Sequence, residues 1–423
     1  MQGNRKWGML AFAFTATVIN YIDRLAFNYL SAEGPLREII SDEVFGYIGT
    51  TFFIAYTCSN LVSGWLIDRL KTKLGYLLSM AVWTTATLLH AFARTPLQFG
   101  AFRFLLGVGE AGNWPAAVKL IAEWFPPSQR STASGIFNSG SAVGAIVAPV
   151  LIGWLAIHFD WNYIFICLGA LGYIWILLFW YVYKVPSTDA GQTQSRNIPL
   201  KVLFKNRFVF FFTVSKFFID PVWYFITFWI GRYLVDVHQL DLAQMAWLAI
   251  IPFIMADAGN ILGGMFTQFM INKVGLPVER ARKTAVVIFG ALLVGSLVSA
   301  PLLITSATMA IVLLGVAAFA NTAYTANSLA FPADVVPTNA TASVWGIASV
   351  GAGLGGACFQ ALSGISVASL TTKFNYAVAY HTIFIGYGVL ASIGICIVLF
   401  LMGPLRKDPL LEKWGDDGAQ DNL

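Results

Sequence analysis

The chain reads as an all-α membrane protein of twelve transmembrane helices arranged in two pseudo-symmetric six-helix bundles. Three observations carry that expectation. Of 423 residues, 57% are hydrophobic and only 11% charged, whereas a soluble domain carries about 25% charge. Apolar stretches of the length a bilayer core demands recur along the whole chain. A glycine pattern in the first half returns in the second.

The spans fall at 8–30, 44–67, 75–93, 96–122, 131–157, 161–183, 206–234, 242–270, 284–304, 307–331, 342–369 and 376–402. With both termini in the cytoplasm, only Arg37, Arg94, Arg232 and Lys373 are left outside. That bias of basic loops toward one side fixes the orientation. The net charge of +5 comes from these short loops, so it does not point to nucleic acid. Arg5 and Lys6 lead directly into a full-length span, without the pattern of a cleavable leader. The four cysteines, Cys58, Cys167, Cys358 and Cys396, all lie within spans and read as small packing residues. No metal or cofactor is expected.

The chain breaks once. The segment 185–205 holds Pro186, Gly191, Ser195, Arg196 and Pro199, which is linker chemistry. It divides the chain into a first bundle (1–184), a cytoplasmic linker (185–205), a second bundle (206–402) and a cytoplasmic tail (403–423). At one constant spacing, Pro126 matches Pro337, Gly135 matches Gly346, Ile136 matches Ile347, Gly140 matches Gly351, Gly144 matches Gly355 and Gly153 matches Gly364. Spans five and eleven are thus equivalent small-residue helices, suited to close approach by a neighbour. Paired six-helix halves imply alternating access around a site near the membrane midplane.

Ionisable residues inside spans mark function or structural pairing. Asn20-Tyr21-Ile22-Asp23-Arg24 lies mid-span. Arg24 shares a helical face with Tyr21 and Asn20, while Asp23 points to the next face. Arg24 can hold an anion and Asp23 a proton, or the two can lock helices together. Span four supplies Arg103, Gly107 and Glu110 on one face. Gly107 leaves room there for a ligand or for a neighbouring helix. Glu110, a carboxylate in apolar surroundings, suits a proton carrier; the alternative is that Arg103 and Glu110 brace the first span.

Span seven carries Lys216 and Asp220 four apart, with Tyr224 beyond and a kink expected at Pro221. Lys216 can pair with Asp220 in an empty site and with a substrate carboxylate in a loaded one, or remain a fixed pair. Trp223 can stack on a sugar ring or simply pack. Asn321, Tyr324 and Asn327 on span ten, Asn138, Ser139 and Ser141 on span five, and Tyr56 on span two suit a polyhydroxylated ligand or interhelical hydrogen bonds. The loop after span two, Gly64-x-x-x-Asp68-Arg69-Leu70-Lys71-Thr72-Lys73, reads as a conformational latch. No nucleophile–base pair or metal-ligand cluster points to an enzyme.

These residues together resemble the major facilitator superfamily, and within it the anion:cation symporters. Gly64-x-x-x-Asp68-Arg69 looks like the superfamily loop signature, with Lys71 where glycine is usual. Asn20-Tyr21-x-Asp23-Arg24, Arg103 through Asn113, and Glu123-Trp-Phe-Pro-Pro-x-x-Arg130 resemble the sugar-acid branch. Ser215-Lys216 through Trp223 and Glu279 through Thr284 resemble the hexuronate transporters. The resemblance implies proton coupling at Asp23 and Glu110, a substrate carboxylate contact at Arg24 with Tyr21, and a gating or charge-balancing role for Arg103. The substrate contacts expected are Tyr21, Arg24, Tyr56, Arg103, Asn138, Ser141, Lys216, Asp220, Trp223, Asn321 and Asn327. The expected protein is a monomeric proton-coupled symporter, with no cofactor, that imports a hexuronate (glucuronate or galacturonate) or a closely related sugar acid by alternating access across a prokaryotic plasma membrane; a symporter for another organic anion such as an aldonate (galactonate) or an aromatic acid, and a passive organic-anion uniporter, are the rivals.

Overall fold

A computed structural model describes residues 2–125, 127–184, 200–336, 338–406 and 411. The described chain is helical almost throughout. In order, the helices are α1 (Gln2–Leu30), α2 (Pro35–Ile39), α3 (Asp42–His90), α4 (Pro96–Glu110), α5 (Asn113–Trp124), α6 (Pro127–His158), α7 (Trp161–Val182), α8 (Leu200–Lys205), α9 (Arg207–His238), α10 (Leu242–Leu248), α11 (Ile250–Asn272), α12 (Val278–Val298), α13 (Ala300–Leu303), α14 (Ala307–Ser328), α15 (Phe331–Val335), α16 (Thr338–Lys373) and α17 (Tyr376–Cys396), followed by one π-helical turn at Ile397–Leu401.

Nine stretches among the described residues are long and apolar enough to cross a membrane. They coincide with nine of the expected spans. The other three fall on α3, which joins the second and third spans into one 49-residue helix, and on α4 with α5, which divide the fourth at Ala111 and Gly112. The start of α4 is written locally. Thr95 accepts from the Gln98 backbone, Gln98 answers with its own side chain, and Pro96 occupies the first turn, where it forfeits no helical bond.

The joint in α3 is marked by Lys71, at φ 65° and ψ 157°. That conformation is nearly reserved for glycine and costs roughly 1–3 kcal/mol in any other residue. Lys71 is the position where the loop signature usually has glycine, so the departure noted in the sequence is a local strain in the structure.

Two compact units emerge. The first comprises Met1–Ala190, Thr227–Ile250 and Ala357–Ala379; the second comprises Gly191–Ile226, Ile251–Gly356 and Tyr380–Leu423. In the first, α6 packs on α1 through its small residues. A Cβ on Gly140 would stand 2.8 Å from the Phe14 carbonyl oxygen, and one on Gly144 would stand 2.7 Å from the Tyr21 Cβ. In the second, Gly351 and Gly355 of α16 press on the carbonyls of Thr213 and Phe217 of α9. The repeat read from glycines is therefore a repeat of helix contacts. Pro221, inside α9, has no N–H to offer the Phe217 carbonyl, and Gly355 packs where that helical bond is missing.

The second unit's core gathers Phe208, Phe212, Phe289, Phe331 and Ile395. It also takes in Leu203 of α8 and Leu411, so parts of the expected linker and tail are packed apolar anchors. Residues 185–199, 407–410 and 412–423 lie outside the described residues. The four cysteines are unpaired and exposed. This corrects the packing role expected for them: in a membrane helix an apolar side chain can face outward as readily as inward.

Candidate functional site

The first unit holds a buried charge system built on α1. Arg24 donates from Nε and from a terminal nitrogen to one carboxylate oxygen of Glu110, at 2.8 and 2.6 Å. It also reaches the Asn20 side-chain oxygen at 3.3 Å, one helical turn back. Its guanidinium lies 5.1 Å from the Tyr21 ring centroid and 5.2 Å from those of Phe52 and Tyr56. Three aromatic faces thus surround a cation that has one counter-ion. Such contacts are worth roughly 0.5–2 kcal/mol each, more when desolvated. Arg24 keeps 13% of its side-chain surface exposed, whereas Glu110 is sealed.

The helices reach this geometry through α4. Gly107, one turn before Glu110, sits against the Phe52 carbonyl of α3, where a Cβ would meet oxygen at 2.6 Å. The space left by Gly107 is therefore taken by a neighbouring helix rather than a ligand. That close approach brings Phe52 and Tyr56, stacked with centroids 5.8 Å apart, to Arg24.

Arg103 is placed differently from the role given to it among the substrate contacts. It is 1% exposed. One terminal nitrogen donates to the Arg24 backbone carbonyl at 2.9 Å and the other to the Asn28 side chain at 3.1 Å, and its plane lies over Phe27 at 4.6 Å. It braces α4 to α1 and makes no ion pair with Asp23 among the described contacts. Asp23 is itself buried, and both its carboxylate oxygens lack a hydrogen-bond partner. Thr87 and Trp83 of α3 lie beside it, and their hydroxyl and indole N–H are unpartnered too. The sequence had pointed to neither.

Of the residues expected on span five, Ser141 lies near Tyr21 and donates to the Asn138 carbonyl at 2.6 Å, while the Asn138 side chain is exposed. Asn113, next to the site, is fixed by Tyr76 at 2.7 Å and by Thr17 at 3.0 Å.

The second unit holds a separate pair. Lys216 meets Asp220 at 2.7 Å, as their spacing on one helix face predicts. Trp223 presents its ring edge-on to Phe253. Asn321 is buried with an unpartnered amide nitrogen. Asn327, expected among the ligand contacts, is bonded between helices. Its amide donates to the Gly263 and Ala323 carbonyls, both at 2.9 Å, and its oxygen accepts from Thr267. These bonds tie α14 to α11.

At the expected latch, a Cβ on Gly64 would meet nothing within 4 Å. Arg69 stacks over Trp65 at 5.3 Å, and the Asp68 side chain lies outside the described residues.

A further ionic cluster in the first unit escaped the sequence. Asp42 receives Arg37 at 2.5 Å and Arg232 at 2.7 Å, and Arg37 also reaches Asp236 at 3.0 Å and the Tyr376 hydroxyl at 3.2 Å. Arg232 is fully buried and donates to the Ile40 carbonyl at 2.8 Å. The signal available was an arginine near the end of span seven, and its partner lay far away in sequence.

The chain is similar to named transporters over most of its length. The hexuronate transporter of Escherichia coli K12 is 29% identical over 85% of this chain and 87% of its own. The galacturonate transporter of Dickeya chrysanthemi is 31% identical over 68% of this chain and 88% of its own. A crystal structure of a bacterial homologue of the human lysosomal transporter Spinster matches with a TM-score of 0.79, covering 95% of this chain and 97% of that one at 19% identity, a likeness of fold. Residues 13–278 match the family described as the Major Facilitator Superfamily, and with its all-helical membrane fold the chain belongs to that superfamily of transporters.

Proposed function

We propose that this protein is a proton-coupled symporter that imports a hexuronate, or a closely related sugar acid, by alternating access. The observation that carries the reading is the Arg24–Glu110 pair. An internal carboxylate occupies the two guanidinium donors that a substrate carboxylate would need. A proton on Glu110 weakens that hold and frees Arg24 for the anion, so proton and substrate favour one another. Asp23, buried with no hydrogen-bond partner for either carboxylate oxygen, is a second proton site. An unpaired buried charge is costly, and a proton removes it. Substrate and proton enter from outside, and neutralising these charges permits the inward-facing state. The names of the similar transporters support the sugar-acid class.

The same reading places a monomer in a prokaryotic plasma membrane with both termini in the cytoplasm. Arg69 and its neighbours act as a latch between states. Uptake into proteoliposomes across a panel of uronates, aldonates and aromatic acids tests it. Accumulation of a uronate against its gradient, abolished by a protonophore, is expected. Equilibration without accumulation would leave a uniporter, and preference for an aldonate or an aromatic acid would change the substrate class. Arg24→Ala is expected to lose anion binding; wild-type affinity in that variant would sink the carboxylate assignment.

A further inference from the structure

Away from Arg24, one buried cation inside the membrane faces both a carboxylate and an indole. Lys216 of α9 lies 2.7 Å from Asp220 and 5.1 Å from the Trp345 ring centroid. Trp345 rises from α16. Its N–H donates to the Leu329 carbonyl at 3.3 Å, and Phe212 meets its ring edge-on at 5.6 Å. The indole is thus held at its N–H and packed against a neighbour, yet it remains only half-buried. Asp220 keeps 16% of its side chain exposed, so the group has an open side. Tyr324 lies beside Asp220.

We propose that Trp345 determines specificity, as the platform on which the ring of a cyclic sugar acid rests while Lys216 donates to the ring's hydroxyls. The inference rests on the sugar-acid reading given above. Lys216 carries three donors on a flexible stem, so with one on Asp220 it has others to give to a sugar hydroxyl. Because the ammonium already stands over the indole, a ring bound to it is brought to the aromatic face. In a pyranose acid the axial C–H bonds of the ring form an apolar surface that matches the indole. An open-chain acid offers no such flat face and loses more torsional freedom on stacking. The platform therefore favours cyclic over open-chain acids. Trp223, the aromatic singled out from sequence, has its ring against Phe253.

The test compares the full-length wild type with Trp345→Phe and Trp345→Leu in proteoliposomes, using D-galacturonate and D-galactonate as cyclic and open-chain probes. Trp345→Leu should raise the KM for galacturonate about ten-fold and that for galactonate less than about two-fold, with kcat little changed. Trp345→Phe keeps an aromatic face and should lose only about three-fold, again on the cyclic acid. A purely structural tryptophan would alter both acids alike, so equal changes, or none, overturn the proposal. If the leucine variant does not assemble, the phenylalanine variant decides by the same ratio. Wild-type protein that takes up neither acid would overturn the sugar-acid reading and this inference with it; wild-type uptake with an unaltered ratio in the variants overturns this inference alone.

Discussion

Replacing Glu110 by glutamine isolates the coupling step. With Arg24 as the proposed carboxylate site, the substrate must in the wild type displace a charged oxygen that accepts two bonds from Arg24, at 2.6 and 2.8 Å. In the variant it displaces a neutral amide of the same shape. A hydrogen bond to a charged group exceeds a neutral one by roughly 1 kcal/mol, so two such bonds make a difference of about 2 kcal/mol, or about 30-fold in affinity. The aromatic rings and Asn20 continue to hold Arg24, which keeps the guanidinium in place. Binding of D-galacturonate to purified protein should therefore be about 30-fold tighter in Glu110→Gln than in the wild type at alkaline pH, with the two converging as pH falls. The variant's affinity should depend less on pH. Uptake adds a second measurement: proton-driven accumulation is lost while counterflow exchange persists. Reasoning from the pair fails if the variant binds no more tightly at alkaline pH, and a specific coupling role fails if accumulation and counterflow fall together.

Other perturbations test the remaining contacts. Asp23→Asn removes a buried carboxyl whose oxygens have no hydrogen-bond partner, so thermal stability in detergent should hold within about 1 kcal/mol while the proton requirement of uptake changes; a large loss of stability would indicate an ion pair. Lys71→Gly relieves a conformation nearly reserved for glycine and should stabilise the protein by about 1 kcal/mol, read as a higher Tm; an unchanged or lower Tm would count against strain at that joint. Asn327→Ala strands its partners on α11 and should cost about 1–3 kcal/mol while leaving substrate preference unchanged, and altered preference would return Asn327 to the binding site. Arg232→Met should destabilise by about 3 kcal/mol and Arg37→Met by less, because Arg232 has no exposed side-chain surface and Arg37 keeps 20%; the reverse order in thermal unfolding would contradict the burial argument.

The helical membrane fold was legible because hydropathy and length are direct physical requirements of a bilayer. So was the internal repeat, since glycine spacing records where helices touch. Lys216 with Asp220 could also be read, because four residues on one helix fix their separation. Partners on different helices were harder. Helical periodicity places Arg103 and Glu110 on one face, but it does not say how far each reaches or which end of α1 it meets. Arg103 spends its donors on a backbone carbonyl and Asn28, groups with no distinctive spacing in sequence. Asn327 looked like a ligand contact because an amide in a membrane helix has the same sequence signature whether it faces a cavity or another helix. The Asp42 cluster joins residues drawn from four separate segments, and Trp345 gains its meaning only from the cation above it.

The two proton-site candidates differ in a way that constrains how they can act. Glu110 is held by an arginine, so a change in its charge alters what Arg24 can bind. Asp23 lies beside Thr87 and Trp83, which are neutral, and Arg103 donates to the Arg24 carbonyl and to Asn28. A change in the charge of Asp23 alters the cost of keeping this part of α1 buried against α3. On the proposed symport reading, the first acid links the proton to the ligand, and the second links it to helix packing. A symporter needs both links: one makes binding depend on the proton, and the other makes the conformational step depend on it. Neighbouring positions on α1 supply them because successive side chains point about 100° apart, sending Arg24 toward Glu110 and Asp23 toward α3.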